Sequence, residues 1–490
     1  MNSTGYYSGI PYPAMFHREM TPLWLATALE ALGFRPPDIS GGFTWCELGC
    51  GPGLDLAIAA AANPGGRFLG VDADPAHVAA ARHLVRRAGL RNVEFHLADF
   101  AAWAERAELP ACDFIVLHGV FAWISPDRQE AVLKIVERSL EPGGVCYLGY
   151  MSHPGASPMM SLQQIMARYG GDDAARGMAR GFHMLEALAR GGAGQFAEVP
   201  GLQAQLARLR ELPPGYLAHE LLGRHWRPLH SAEAIQAMRA VGCDYLGSAA
   251  PIENIDAVSL PEGAQAPIAS IDDVPLREVA KDIARNQSQR LDLYQRGKQT
   301  LTATEHRLAL SRQSWLRLPA APASGAIRLE TRIGPVEGAE AVFSPLLERL
   351  ASGPQDFADL LALETFKGNG GLLNQALQMM LWAGWAHPLR AGEDADAVAA
   401  CQALNREICR DRLLGHAADT LAVAGIGSGL RASRLEMAYY LTLAESPELS
   451  ASALHEAVRR RLPDAADADM AEVEQRALPE WRRLGLLPDI

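Results

Sequence analysis

The sequence predicts an α/β fold, a Rossmann-like doubly wound sheet, and three observations carry that expectation. Apolar runs at Thr44 to Leu48, Arg67 to Asp72 and Asp113 to His118 alternate with helical stretches, with weaker companions at Asn92 to Leu97 and Gly144 to Met151. A turn with three alternate glycines follows the first run, and aspartates stand at or just past the ends of later ones. Short apolar runs separated by helices are the signature of parallel strands buried on both faces. Such a sheet takes its ligand beyond the carboxyl ends of its strands.

The helices between the runs carry end signals. Asp74 followed by Pro75 opens one that should stop near Gly89, and Ser125 followed by Pro126 opens another that should stop before Gly143. After Met151 the strand signal lapses, and residues 152–230 read as a helical insertion broken by Gly170-Gly171 and Gly191-Gly192. The sheet is expected to resume with a helix from Ser231 to Val241, a strand at Cys243 to Ala249 and a last strand near His306 to Ser311. Between these, a linker is expected around Pro261 to Pro267 and a helix from about Leu276 to Arg296. The Pro/Ala/Ser run at Pro319 to Ser324 marks a boundary. The expected organisation is therefore a first part over 1–318, a winged-helix-like unit over 330–395 with a short strand at Trp385 to Leu389, and a helical carboxyl-terminal region over 399–490.

With 490 residues the chain has room for about three domains. Its 49% hydrophobic and 21% charged content is that of an ordinary folded, soluble protein. A net charge of −12 opposes a general nucleic-acid or anionic-membrane binder, which needs a positive surface. Seven cysteines without CxxC spacing form neither a disulfide framework nor a zinc site, so no metal is expected and a cytoplasmic location is. Met1 to Ile10 has no basic region followed by an apolar one, and no apolar run approaches the length that spans a bilayer, so neither export nor membrane insertion is expected.

The chemistry concentrates in Glu47-Leu48-Gly49-Cys50-Gly51-Pro52-Gly53. Glycines permit positive φ and let a ligand lie against bare backbone. A dinucleotide fingerprint would place Gly or Ala at position 54, where Leu54 stands, so a ligand without a diphosphate fits better. S-adenosylmethionine is such a ligand, its ammonium group held electrostatically near Glu47. Asp72, followed by Ala73, can accept two hydrogen bonds from ribose hydroxyls. Asp99 and Phe100 offer a polar acceptor and an aromatic wall to adenine. His118 and Gly119 close the fourth strand, where the acceptor would meet the methyl group.

At this point the sequence resembles the class I methyltransferases, and more narrowly the bacterial group carrying a methyltransferase regulatory domain, to which rickettsial outer-membrane-protein lysine methyltransferases belong. The narrower resemblance rests on Tyr7 with Pro11-Tyr12-Pro13, on His118-Gly119-Val120-Phe121-Ala122-Trp123, and on Tyr150-Met151-Ser152-His153-Pro154-Gly155. It continues with His219-Glu220, His225-Trp226, Glu253-Asn254 and Arg285-Asn286-Gln287 near Arg290, so the regulatory-type segment is expected over about 210–300. The resemblance implies S-adenosylmethionine as cofactor and N-methylation of lysines in a protein substrate, with a small metabolite as the alternative acceptor. A cofactor-binding DNA-associated regulator is the reading of another class, and the acidic balance opposes it. A homodimer is the self-association allowed for.

Methyl transfer from a sulfonium is an in-line displacement, which the protein serves by holding the reacting atoms aligned and dry. A lysine amine must also be deprotonated, which an apolar, aromatic pocket favours. Tyr12 and His118 are the catalytic candidates. Tyr7, Phe121, Trp123 and His153 are the substrate-side ones, and Glu47, Gly49, Gly51, Gly53, Asp72, Ala73, Asp99, Phe100, His118 and Gly119 are the candidates for the cofactor.

Overall fold

The computed structural model describes residues 12–170, 173–323, 327–392, 394–416 and 418–487. Five strands run parallel: β1 (Thr44–Leu48), β2 (Arg67–Asp72), β3 (Val93–Leu97), β4 (Cys112–His118) and β5 (Leu140–Met151). Two more, β6 (Cys243–Ser248) and β7 (Gln289–Arg296), complete a seven-stranded sheet in the order β3-β2-β1-β4-β5-β7-β6. β7 is antiparallel to both its neighbours. The order reverses between β1 and β4, and a doubly wound sheet opens its ligand crevice at that switch.

Helix α1 (Pro22–Ala31) precedes the sheet, and α2 (Leu54–Ala62) leaves the glycine turn. All nine residues of α2 are buried, because the sheet covers one side and the carboxyl-terminal region the other. A helix apolar all round needs two such covers. In α3 (Pro75–Ala88), Asp74 caps the first turn by accepting from the Ala76 N–H at 2.7 Å, and Gly89 ends the helix at φ 71°. The short α4 (Phe100–Ala104) is capped in the same way by Asp99, and α5 (Pro126–Ser139) starts with proline in its first turn.

After β5 come α6 (Met159–Gly170), α7 (Ala174–Arg190), α8 (Gly194–Glu198), α9 (Leu202–Arg210) and α10 (Pro214–Leu222), the helical insertion expected from the sequence. Helices α11 (Ser231–Ala240), α12 (Asp256–Ser259), α13 (Glu262–Ala269) and α14 (Val274–Arg285) surround β6 and lead to β7.

Several expectations are corrected here. The helix from Leu276 to Arg296 ends at Arg285, where Asn286 turns the chain at φ 48°, and the remainder is strand β7. Asp292 and Gln295 of that strand are buried, which hides it from a reading based on apolar runs. Arg290 explains how its charges are tolerated: the guanidinium meets Asp292, Asp282 and Glu278 at 2.8, 2.5 and 2.9 Å. His306 to Ser311, expected as a strand, lies in helix α15 (Ala303–Ser311) with a Thr302–Glu305 capping box. Pro261 to Pro267, expected as a linker, is mostly helical α13, with Pro267 inside it.

Further on, β8 (Ser314–Arg317) pairs with β11 (Gln355–Asp356) and β12 (Ala386–Pro388), while β9 (Ile327–Thr331) and β10 (Gly334–Gly338) form a hairpin. Helices α16 (Glu340–Ala351), α17 (Phe357–Leu361) and α18 (Gly370–Ala383) pack around this small sheet. β8 thus comes from inside the stretch assigned to the first part. The region after 399 is not wholly helical, since β13 (Thr420–Val423) and β14 (Ser428–Arg431) form a hairpin against α2. Beside it, α19 (Ala395–Leu413) lies on α2 and α3, where Arg87 donates to Glu407 at 2.5 Å and to Asp411 at 2.9 Å.

Candidate active site

A cleft of about 1210 Å³, part of it open to solvent, lies at the carboxyl ends of β1, β2 and β4. Its floor is the glycine turn. Gly49, Gly51 and Gly53 have φ of 79°, 51° and 77°, a region that L side chains enter at a cost. A Cβ on Gly49 would stand 2.4 Å from Val120 Cγ2, and one on Gly53 would stand 2.7 Å from Ala81 Cβ and the Phe95 ring. At Gly51 nothing lies within 4 Å, so a ligand can approach bare backbone there.

Asp72, at the end of β2, ties this turn to the next one. Its Oδ2 accepts the Gly51 N–H and its Oδ1 the Asp74 N–H, each at 2.8 Å. Each oxygen keeps a second lone-pair site for a ligand hydroxyl. His77 Nδ1 lies 3.4 Å from Asp72 Oδ1, and its Nε2 accepts the Tyr12 N–H at 3.1 Å. Glu47, in β1 beneath the turn, is 5% exposed, and its Oε2 has no hydrogen-bond partner. Burial, with the charges of Asp55 and Asp72 added, pushes its carboxyl well above the usual carboxylate range. Such an oxygen suits a cationic group, as the ammonium of S-adenosylmethionine is. The open face at Gly51, the spare acceptor sites of Asp72 and the orphaned Glu47 oxygen therefore fit this cofactor.

Farther along the cleft, Asp99 accepts the Ala101 N–H at 2.9 Å and Arg128 Nε at 3.2 Å, with Phe100 beside it. Ala73 and Gly119 also line the cleft. All ten residues expected to meet the cofactor are thus brought together in one cavity.

The acceptor-side residues divide. Trp123 and Tyr12 line the cleft. Tyr12 packs its ring 5.4 Å from His219, edge on, and 5.9 Å from Tyr216, both on α10. Phe121, expected to line the pocket, is 4% exposed and packs in the core, and its carbonyl accepts from Gln129. His153 stands away from the cleft, with its Nδ1 2.6 Å from Ser157 Oγ and its ring 4.5 Å from His230. Tyr7 lies outside the described residues.

His118 lines the cleft with both ring nitrogens engaged. Gln289 Nε2 is 3.3 Å from its Nε2 and Tyr147 Oη is 2.7 Å from its Nδ1. An amide nitrogen only donates, so Nε2 accepts and Nδ1 carries the proton toward Tyr147. Burial, with the nearby charge of His17, keeps the His118 pKa well below the ordinary histidine value.

Sequence reasoning missed His17, Asp55, His77, Arg128 and the role of α10, whose His219 and Glu220 form part of the wall. Asp55, His77 and Arg128 all sit in the first turn of a helix that follows a sheet strand, and that position was a usable signal. His17 had none, since it reaches the cleft only by folding back over α2.

The fold and this cleft define a class I methyltransferase, and comparison with known proteins agrees. Residues 39–177 match the family described as a methyltransferase domain, and residues 213–296 match a predicted methyltransferase regulatory domain. The uncharacterised protein sll1526 of Synechocystis sp. is 30% identical over 439 residues, 88% of this chain and 86% of its own length. A trans-aconitate 2-methyltransferase of Variovorax paradoxus is 32% identical over 20% of this chain and 35% of its own. Among solved structures, PKMT2 from Rickettsia typhi in complex with AdoHcy superimposes with a TM-score of 0.71 at 16% identity, over 97% of this chain and 99% of that one. The chain belongs to the S-adenosylmethionine-dependent methyltransferases that carry a methyltransferase regulatory domain. In this structure the segment matched to that domain supplies two strands of the sheet and one wall of the cleft.

Proposed function

We propose that this enzyme N-methylates lysine side chains of a protein substrate. The observation that carries the reading is the charge of the cleft. Asp55, Asp72 and Asp99 line it, with Glu47 and Glu220 beside them, both pushed toward the neutral form by burial, and Arg128 is the one Lys or Arg among its described lining residues. That guanidinium is already claimed by Asp99 and Asp127. A cationic amine enters such a field favourably, whereas a tricarboxylate of the trans-aconitate kind meets like charge and no free cation. The resemblance to rickettsial lysine methyltransferases and the similarity to PKMT2 support the same reading.

In this reading Glu47 and the backbone of the glycine turn hold the amino-acid end of the cofactor, Asp72 its ribose, and Asp99 with Phe100 its adenine. S-adenosylmethionine, when bound, supplies an electrophilic methyl group on its sulfonium. The chain's own residues do the rest. Tyr12 and Trp123 shape a partly apolar entry, and His118 is held neutral by burial beside the Asp55-paired His17. At pH 7 only about one lysine amine in a few thousand is neutral, so the entry must favour the neutral form.

The test is transfer of tritium from methyl-labelled S-adenosylmethionine to the acid-insoluble protein of a cell lysate, followed by hydrolysis. Label recovered as N-methyllysine is the expected result, with trans-aconitate left unmethylated. Label recovered only in small molecules would overturn the proposal.

A further inference from the structure

Helix α10 brings one carboxylate into the cleft that no described residue engages. Glu220 lines the cavity and is half-buried, and no hydrogen bond or ion pair to a described residue holds it. Of the other acceptors there, all but Glu47 are committed to neighbours. Asp72 accepts from Gly51 and Asp74, Asp99 from Ala101 and Arg128, and Asp55 from His17. His77 Nε2 accepts from Tyr12, and both nitrogens of His118 are engaged. Glu47 lies beneath the glycine turn. Glu220 stands one helical turn beyond Tyr216 and so shares its face, and the Tyr216 ring packs 5.9 Å from that of Tyr12. A free carboxylate next to aromatic faces is the chemistry that recognises an ammonium group.

We infer that Glu220 is the residue that receives the proton shed by the acceptor amine, which makes α10 the amine-recognising wall of the site. The inference rests on the amine reading given above. The acceptor's N–H bond breaks with its electron pair left on nitrogen, and an O–H bond forms on Glu220. That nitrogen pair then forms the new N–CH₃ bond as the sulfonium C–S bond breaks toward sulfur. Glu220 afterwards returns its proton to solvent through the open mouth.

The environment matches the task. Loss of water around Glu220 pushes its pKa up to about 7, where a general base works best near neutrality. Tyr216 interacts with it on its own helix, and the other titratable groups lining the cleft are Tyr12, His17, Glu47, Asp55, Asp72, His77, Asp99, His118, Arg128 and His219. Asp55 outweighs the effect of burial and biases His17 toward its protonated form, which cannot accept a further proton.

The test uses the full-length E220Q variant. S-adenosylhomocysteine binding measured by calorimetry should stay within about threefold of wild type, while label transfer to lysate protein at pH 7 should fall about 10²-fold or more. The loss should shrink as pH rises toward the amine's own pKa, and E220D should retain part of the activity. A readout independent of turnover is the melting temperature. A carboxyl whose folded pKa is raised stabilises the fold below its unfolded value and loses that stabilisation as pH rises through about 7. E220Q should therefore melt higher than wild type at pH 8 and no higher at pH 4.5. Wild-type transfer by E220Q at pH 7, an unaltered pH profile, or lost S-adenosylhomocysteine binding would each overturn the inference. Recovery of the wild-type label on oxygen or sulfur would instead overturn the amine reading itself.

Discussion

Asp55 holds His17 by two atoms at once: its Oδ1 accepts the His17 backbone N–H at 2.6 Å, and its Oδ2 lies 2.8 Å from the ring Nδ1. The aspartate belongs to the first turn of α2, directly after the glycine turn, so this clamp fastens the amino-terminal segment across the cleft. His17 in turn lies against His118, with the rings 4.0 Å apart. Burial opposes a charge on His17, but the Asp55 carboxylate outweighs it and raises the His17 pKa. The clamp's contribution is therefore fully present below the unfolded histidine value of about 6.5, and it is lost as pH rises through the raised folded value. D55N should cost about 1–2 kcal/mol near pH 6 and less at pH 9, a difference that thermal melts at the two pH values will report.

The approach of Gly49 to Val120 is a second point of fragility. G49A places a Cβ 2.4 Å from Val120 Cγ2 and forces a non-glycine residue to φ 79°. The strained backbone alone costs about 1–2 kcal/mol, and the clash adds to it. The double variant G49A/V120A should recover the clash component and leave the strain. A denaturant-based double-mutant cycle should show coupling, and additive losses would mean that the contact carries no energy.

Asp72 orders the glycine turn through Gly51, and each of its oxygens keeps a further acceptor site. D72A should weaken S-adenosylhomocysteine binding about 10²-fold or more, the size expected for losing charge-assisted hydrogen bonds. Calorimetry checks this, and the circular-dichroism spectrum should be unchanged. D72N, which keeps an acceptor oxygen but not the charge, should fall between the two.

Arg290 is 3% exposed and, among the described residues, is the only guanidinium in contact with Asp282, Asp292 and Glu278. Burial raises the pKa of Asp292 to about 6, even against the pull of this arginine. R290M strands Asp282 and Asp292 without a counter-charge, leaves Glu278 only Lys281 at 3.7 Å, and should cost about 3–5 kcal/mol in urea unfolding. Because Gln289 precedes Arg290 and donates to His118, the damage should also reach the cleft. We expect reduced transfer in R290M at temperatures where it remains folded, measured against wild type under the same conditions.

The parallel half of the sheet was legible because its strands are buried on both faces and are therefore apolar throughout. The cofactor turn was legible because only glycine fits its backbone angles and close approaches. Phe121 misled for a related reason, as an aromatic residue within an apolar run reads alike whether it lines a pocket or packs in the core. β7 misled in the opposite direction, since its buried Arg290 and Asp292 look like the polar face of a helix until their partners on α14 are in place.

The sequence by itself determined the glycine turn and the carboxylates at the neighbouring strand ends, because local turn geometry and strand ends are short-range properties written in consecutive residues. Tertiary structure alone decided which residues complete the cleft around that turn. His17, His77, Gln289 and Glu220 come from four separate parts of the chain and meet only when the sheet twists and α10 folds back over its edge. Their roles depend on hydrogen bonds and desolvation that have no counterpart in the linear order of residues.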